Sequence, residues 1–140
     1  MKEIMVAYWS GTGNTAAMAT ILGKGIQDGG AAAKVVSVED IKADDLKDYP
    51  VFALGCPSMG NETLEETVME DFVTEVESFA SGKKIGLFGS YGWGDCEWMR
   101  NWEASCKNAG AVLVCDSVTC NEEPDNDGLS ACKALGAALV

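Results

Sequence analysis

The residues Ser10-Gly11-Thr12-Gly13-Asn14-Thr15 follow directly on the apolar stretch Ile4-Met5-Val6-Ala7-Tyr8-Trp9. A strand that breaks into glycines and hydroxyls and then opens a helix is a phosphate cradle. Backbone N–H groups at the helix N-terminus point at an anion, and the helix dipole favours it. Gly11 and Gly13 let the backbone turn tightly and come close to phosphate oxygens. Ser10, Thr12, Asn14 and Thr15 add side-chain donors. No Lys or Arg lies between Ser10 and Ile21, so dipoles and hydroxyls meet the anion with no countercharge nearby in sequence.

Three phosphate ligands compete on these residues. ATP or GTP hydrolysis by a Walker A loop needs a lysine that the run lacks. A dinucleotide fits the G-x-G-x-x-A spacing of Gly11 to Ala16, with Glu39 after Val35-Val36-Ser37-Val38 as the acid for a ribose. A terminal monophosphate, as in FMN, fits the density of side-chain donors. Two more loops carry unusual residues. Pro57-Ser58-Met59-Gly60-Asn61-Glu62-Thr63 follows one strand candidate, and Tyr91-Gly92-Trp93-Gly94-Asp95 follows another. Trp93 stands between glycines, which clear space on either side of a large ring for something flat. Gly60-Asn61 suits either of two turn types, so its peptide can rotate at low cost. Glu62 is suited to accept from an imide N–H.

The elements that position these loops alternate. Strand candidates are 3–9, 33–38, 50–56, 83–90 and 111–119, and helix candidates are 14–28, 64–79, 96–109 and 125–139. Segment 40–48 reads as a short helical turn or a loop. The unbroken apolar run Val51-Phe52-Ala53-Leu54-Gly55 predicts a strand buried on both faces, hence a parallel sheet. Met18, Ile21, Leu22 and Ile26 make one core stripe on the first helix. Trp98, Trp102 and Cys106 recur every four residues, the spacing of packing. Five strands with intervening helices predict one doubly wound α/β domain over residues 1–140. In such sheets the ligand lies outside the carboxyl ends of the strands, where all three loops fall.

Composition narrows the function classes. The net charge is −12, which makes nucleic acid and anionic membrane poor partners and a basic protein surface a good one. No apolar stretch reaches the length of a membrane span and no secretory leader is evident, so a cytoplasmic location is expected. Cysteines stand at 56, 96, 106, 115, 120 and 132, none in a C-x-x-C, and histidine is absent. Zinc and iron–sulfur sites are therefore not expected, nor is histidine-assisted nucleophilic catalysis. Several cysteines, Cys115 in Val112-Leu113-Val114-Cys115 among them, read as small core residues. The third strand ends in Gly55-Cys56 with no acceptor Asp, against a phosphoacceptor receiver domain.

The chain resembles the short-chain flavodoxins, especially the clostridial type of anaerobic bacteria, over nearly its whole length. Three motifs carry the resemblance: residues 8–15, Leu54-Gly55-Cys56-Pro57-Ser58-Met59-Gly60, and Gly86-Leu87-Phe88-Gly89-Ser90-Tyr91-Gly92-Trp93-Gly94-Asp95. It implies a three-layer α/β/α sandwich on a five-stranded parallel sheet of order 2-1-3-4-5. It also implies a monomeric low-potential one-electron carrier, not an enzyme, whose non-covalent FMN cycles between semiquinone and hydroquinone and whose redox partners dock through basic surfaces. By motif match, Ser10, Gly11, Thr12, Gly13, Asn14 and Thr15 hold the phosphate. Met59 covers one face of the isoalloxazine and Trp93 the other. Glu62 takes the flavin N3–H, and the Gly60–Asn61 peptide flips on reduction. Ser58, Ser90, Tyr91, Gly92, Gly94 and Asp95 complete the cofactor-binding set. An FMN-dependent quinone or NAD(P)H reductase of the same fold is the alternative, and it needs room over the ring that Met59 and Trp93 fill. Carboxylates near the ring, with Glu62, Glu65, Glu66, Asp95, Glu97, Glu122 and Glu123 as candidates, oppose a reduced anionic flavin. Each charge about 13 Å away contributes roughly 15 mV at the dielectric of water.

Overall fold

Ile4 and Val6 pack on one side of the sheet and Met5 and Ala7 on the other, and all four are buried. This alternation along a strand apolar at every position requires helices on both faces. The computed structural model describes residues 2–11, 13–59 and 63–140. Its elements are β1 (Glu3–Tyr8), α1 (Asn14–Asp28), β2 (Ala32–Ser37), a 3-10 turn (Ala43–Leu46), β3 (Val51–Gly55), α2 (Met69–Glu77), β4 (Lys84–Tyr91), α3 (Glu97–Asn108), β5 (Val112–Leu113), β6 (Val118–Asn121) and α4 (Asn126–Leu139). The sheet is parallel in order β2-β1-β3-β4-β5, with β6 also beside β4.

Two cores sandwich the sheet. Met18, Leu22 and Ile26 of α1 meet Cys132, Leu135 and Leu139 of α4 under Ile4, Val6, Ala53 and Phe88. Phe72, Val73 and Val76 of α2 and Trp98, Trp102 and Cys106 of α3 cover Met5, Phe52, Leu54, Ile85 and Leu87. The tryptophan spacing is thus packing, as its four-residue period predicts. Ile21, expected in the stripe of α1, is only half-buried.

The expected fifth strand over 111–119 is two strands. β5 pairs with Lys84 and Ile85, and β6 pairs with Phe88 to Tyr91. Residues 114–117 therefore span the place opposite only Gly86 and Leu87. The surplus bulges outward, as extra residues in a ladder do, and the Ser117 hydroxyl ties it to Glu103 Oε2 at 2.8 Å. Cys115 rides on this bulge and is exposed, against its reading as a core residue. Cys56, Cys106, Cys120 and Cys132 are buried, and all six thiols are free. Helix α2 starts at Met69, not near 64, for a reason that lies in Glu65 and is taken up below. Among the described residues no helix is long and apolar enough to cross a membrane.

Helices α1 and α4 touch backbone to backbone. A Cβ on Gly136 would lie 2.2 Å from Leu22 O, and one on Gly25 2.1 Å from Lys133 O. Gly136→Ala is expected to lower unfolding free energy by about 1–3 kcal/mol through overpacking, read by urea denaturation against the exposed Ser130→Ala.

Candidate functional site

The strands share a carboxyl edge. Tyr8 lies beside Gly55, and Gly55 beside Phe88. Parallel pairing runs past the strand ends into the loops: Trp9 N–H donates to Gly55 O at 3.0 Å, Cys56 N–H to Phe88 O at 3.1 Å, Ser58 N–H to Ser90 O at 2.9 Å and Glu122 N–H to Tyr91 O at 2.7 Å. The loops after β1, β3, β4 and β6 are thereby fixed around one cleft of about 510 Å³.

The sequence-predicted Gly11, Asn14, Ser58, Met59, Ser90, Tyr91, Gly92 and Trp93 all line this cleft. Trp9, Pro57, Glu122 and Glu123 line it as well. Trp9 and Pro57 stand inside the quoted motifs, and their places at strand ends mark them. Glu122 and Glu123 were expected as distant charges only. Trp93 is 53% exposed, an apolar ring left open to water at the cleft wall. Tyr91 is backed by Trp98, with ring centroids 5.9 Å apart, and Trp98 Nε1–H donates to Cys56 O at 3.2 Å.

The other predicted residues lie around the cleft. Gly13 N–H and Ala16 N–H converge on the Ser10 hydroxyl oxygen at 3.1 and 3.3 Å. Two amides aimed at one oxygen make a seat for an oxyanion at the start of α1. Gly13, the residue before α1, takes a left-handed φ of 100° and has no side chain of its own to cap the helix. Thr15 is buried, with its hydroxyl 3.0 Å from that of Ser90, and so braces α1 against β4. Gly94 and Asp95 are not among the residues that line the cleft, and Asp95 pairs with Arg100 at 3.2 Å. Thr12, Gly60, Asn61 and Glu62 lie outside the described residues. Glu39, the acid of the dinucleotide reading, is exposed beside Ser37.

Two features fit a flat ring, and a third, the charge of the lining, leaves any phosphate to amide and hydroxyl dipoles alone. The walls are indole, phenol, proline and thioether. The Ser58 hydroxyl is buried in the lining with no partner among the described residues, which asks for a ligand or water to satisfy it. None of the lining residues is basic, and two are glutamates. Cys96 (φ 70°) and Glu122 (φ 56°) are described non-glycine residues with positive φ. Each stands in or just after a loop at this edge, and such conformations cost about 1–2 kcal/mol per residue.

Glu65 explains the late start of α2. Its carboxylate accepts from Thr67 N–H at 2.7 Å, Val68 N–H at 2.8 Å, Met69 N–H at 2.9 Å and the Thr67 hydroxyl. Residues 66–68 are thus a capping turn rather than helix. Burial alone would raise this carboxyl, but the donors from Thr67, Met69 and Val68 overcome it and hold it below the usual carboxylate range. Burial pushes the Cys56 thiol beside it up to about 12.

Comparison with known proteins agrees with this geometry. The flavodoxin family pattern matches residues 6–136. The flavodoxin of Megasphaera elsdenii is 44% identical over 137 residues, 98% of each chain. That of Clostridium beijerinckii is 44% identical over 120 residues, covering 86% of this chain and 87% of that one. The solution structure of two-electron reduced Megasphaera elsdenii flavodoxin superposes with a TM-score of 0.89, covering 97% of each chain.

The lowered carboxyl of Glu65 makes a pH prediction. A group whose folded value is depressed contributes stability above its unfolded value, about pH 4.3, and loses it as pH falls through the folded value. Wild type should exceed Glu65→Gln by about 1–3 kcal/mol at pH 7, with the gap closing below pH ~4 in acid titrations followed by circular dichroism.

Proposed function

This chain belongs to the flavodoxin family, electron carriers that bind FMN, and from that premise we propose that the cleft at the carboxyl edge is its FMN site. The buried, unpartnered Ser58 hydroxyl in an apolar lining is the observation that carries the assignment. In this reading Ser10, Gly13 and Asn14 hold the phosphate at the start of α1. Trp9, Pro57, Met59, Tyr91 and Trp93 exclude water from the ring. When bound, FMN supplies one-electron chemistry, and the protein sets the energy at which that chemistry runs.

Two properties of the lining set that energy. Glu122 and Glu123 disfavour added negative charge in the cleft, which makes electrons harder to load and better donors once loaded. No lysine or arginine of the lining offsets the phosphate. The indole of Trp93, electron-rich on its face, acts in the same direction. Its exposure leaves one side of the site within reach of another protein, where a carrier exchanges electrons with its redox partners.

The finer assignments rest on the surface. A net charge of −12 supports a carrier that stays monomeric and meets partners through basic patches. Six free thiols suit the reducing cytoplasm. Residues 1–140 are read as one domain holding one FMN, with a sheet that both cores share.

Apo-protein titrated with FMN should quench flavin fluorescence with an end point at one equivalent and stay yellow after free flavin is removed by desalting; a chain that emerges colourless ends this reading. Trp93→Ala should weaken FMN binding about tenfold and raise the more negative of the two flavin potentials, measured by dithionite titration. Electron transfer to a basic acceptor protein should slow as ionic strength rises, since steering between opposite charges is screened within about 10 Å at 0.1 M salt. A rate independent of salt would remove the basic docking surface.

A further inference from the structure

Residues 56–59 leave β3 and residues 63–65 lead to the start of α2, and these two arms are joined twice. At the throat Met59 N–H donates to Thr63 O at 2.9 Å and Thr63 N–H to Met59 O at 2.8 Å, with the Thr63 hydroxyl also on Met59 O at 3.2 Å. At the neck Glu65 N–H donates to Cys56 Sγ at 3.5 Å. The upstream arm is held by the sheet, through Ser58 N–H to Ser90 O. The downstream arm belongs to no strand or helix. Leu64 packs against the core beside it, and the Glu65 side chain fastens the arm to the start of α2.

That side chain does more than a helix start requires. A Ser, Thr or Asp cap satisfies one or two amides from the surface. Glu65 is only 4% exposed, and its two oxygens together take three backbone N–H groups and a hydroxyl. A carboxylate saturated by charge-assisted bonds cannot shift without breaking several at once. The turn it gathers leads straight into Met69, Phe72, Val73 and Val76, which are anchored in the core. Glu65 therefore ties the loop to a rigid body, while Met59 at the far side of the throat forms cleft wall. Glu65 itself is not in that wall.

We propose that Glu65 is a positioning residue for the ring half of the cofactor site: by locking the downstream arm to α2 it holds Met59 in place through the Met59–Thr63 pairing, and it leaves the phosphate half at α1 untouched. This rests on the reading of the cleft as the FMN site. The charge of Glu65, expected from sequence to act on the flavin directly, works instead through the backbone it organises.

The test uses the full-length apo-protein with FMN and riboflavin as probes, at a temperature where circular dichroism shows each variant folded. Glu65→Gln should weaken FMN and riboflavin by the same factor, about tenfold, the change that a lost hydrogen bond to a charged group produces. The ratio of riboflavin to FMN dissociation constants, which reports the phosphate half, should not move. The gap between the two one-electron potentials should change with it. Thr67→Val, which removes one donor to Glu65, should act in the same direction with a smaller factor, and Thr67→Ser should restore wild-type binding. Should Glu65→Gln fail to fold, the Thr67 pair decides alone. A folded variant that lowers only the thermal midpoint, with wild-type affinities and potentials, overturns the positioning role. A changed riboflavin-to-FMN ratio overturns its confinement to the ring half. Wild-type protein that takes up no FMN brings down the cofactor assignment instead.

Discussion

A strand in a parallel sheet cannot turn back into its neighbour, so the backbone groups at its carboxyl end stay paired only if the chain runs on in register. Here it does. Trp9, Cys56, Ser58 and Glu122 each donate a backbone bond to a carbonyl of the neighbouring strand or the residue that ends it. Unpaired amides there would cost about 1–3 kcal/mol each once buried. The loops are consequently extensions of the sheet and inherit its rigidity. Apolar side chains carried on them, Trp9, Pro57 and Tyr91 above all, are held apart as walls instead of collapsing together. The cleft exists because pairing has precedence over hydrophobic closure.

The second constraint is electrostatic. With FMN in the proposed place, its phosphate at the start of α1 would be met by partial charges, since no lysine or arginine is among the described lining residues and Glu122 and Glu123 are. Amides converging on the Ser10 oxygen bind an anion through orientation rather than net charge. Such binding leaves the negative charge of the ligand in the site's field. A lysine in that position would hold the phosphate as well, but it would also make each added electron easier to accept. For a carrier meant to give electrons away, dipoles are the better grip.

Much of this was legible in residue order. The apolar run at 51–55, the glycine- and hydroxyl-rich turn at 10–15 and the i, i+4 spacing of Trp98 and Trp102 each specify a local geometry, and each is found where it points. Eight of the predicted site residues line one cleft because loops that follow parallel strands have only one edge to occupy. What escaped were effects of long-range pairing. Residues 111–115 are apolar and Asp116-Ser117 interrupts the run before Val118, but only the pairing shows that β4 offers two positions opposite four residues. Glu65 stands in the sequence inside a helix candidate and among the carboxylates near the ring; only the fold turns it inward as the tie of a capping turn.

The cysteines have a chemical consequence. Burial lifts the thiols of Cys56, Cys106 and Cys132 to about 12. At neutral pH roughly one in 10⁵ of such groups is ionised, and the thiolate is the form that reacts. Reduced flavins pass electrons to dioxygen and release peroxide beside themselves. Sulfur kept protonated and out of solvent is a poor target for that by-product, so the core tolerates the oxidant its own cargo generates. Cys115, pushed into water by the bulge, has the solvent access that the buried thiols lack, while partial burial and the Asp116 carboxylate raise its thiol too.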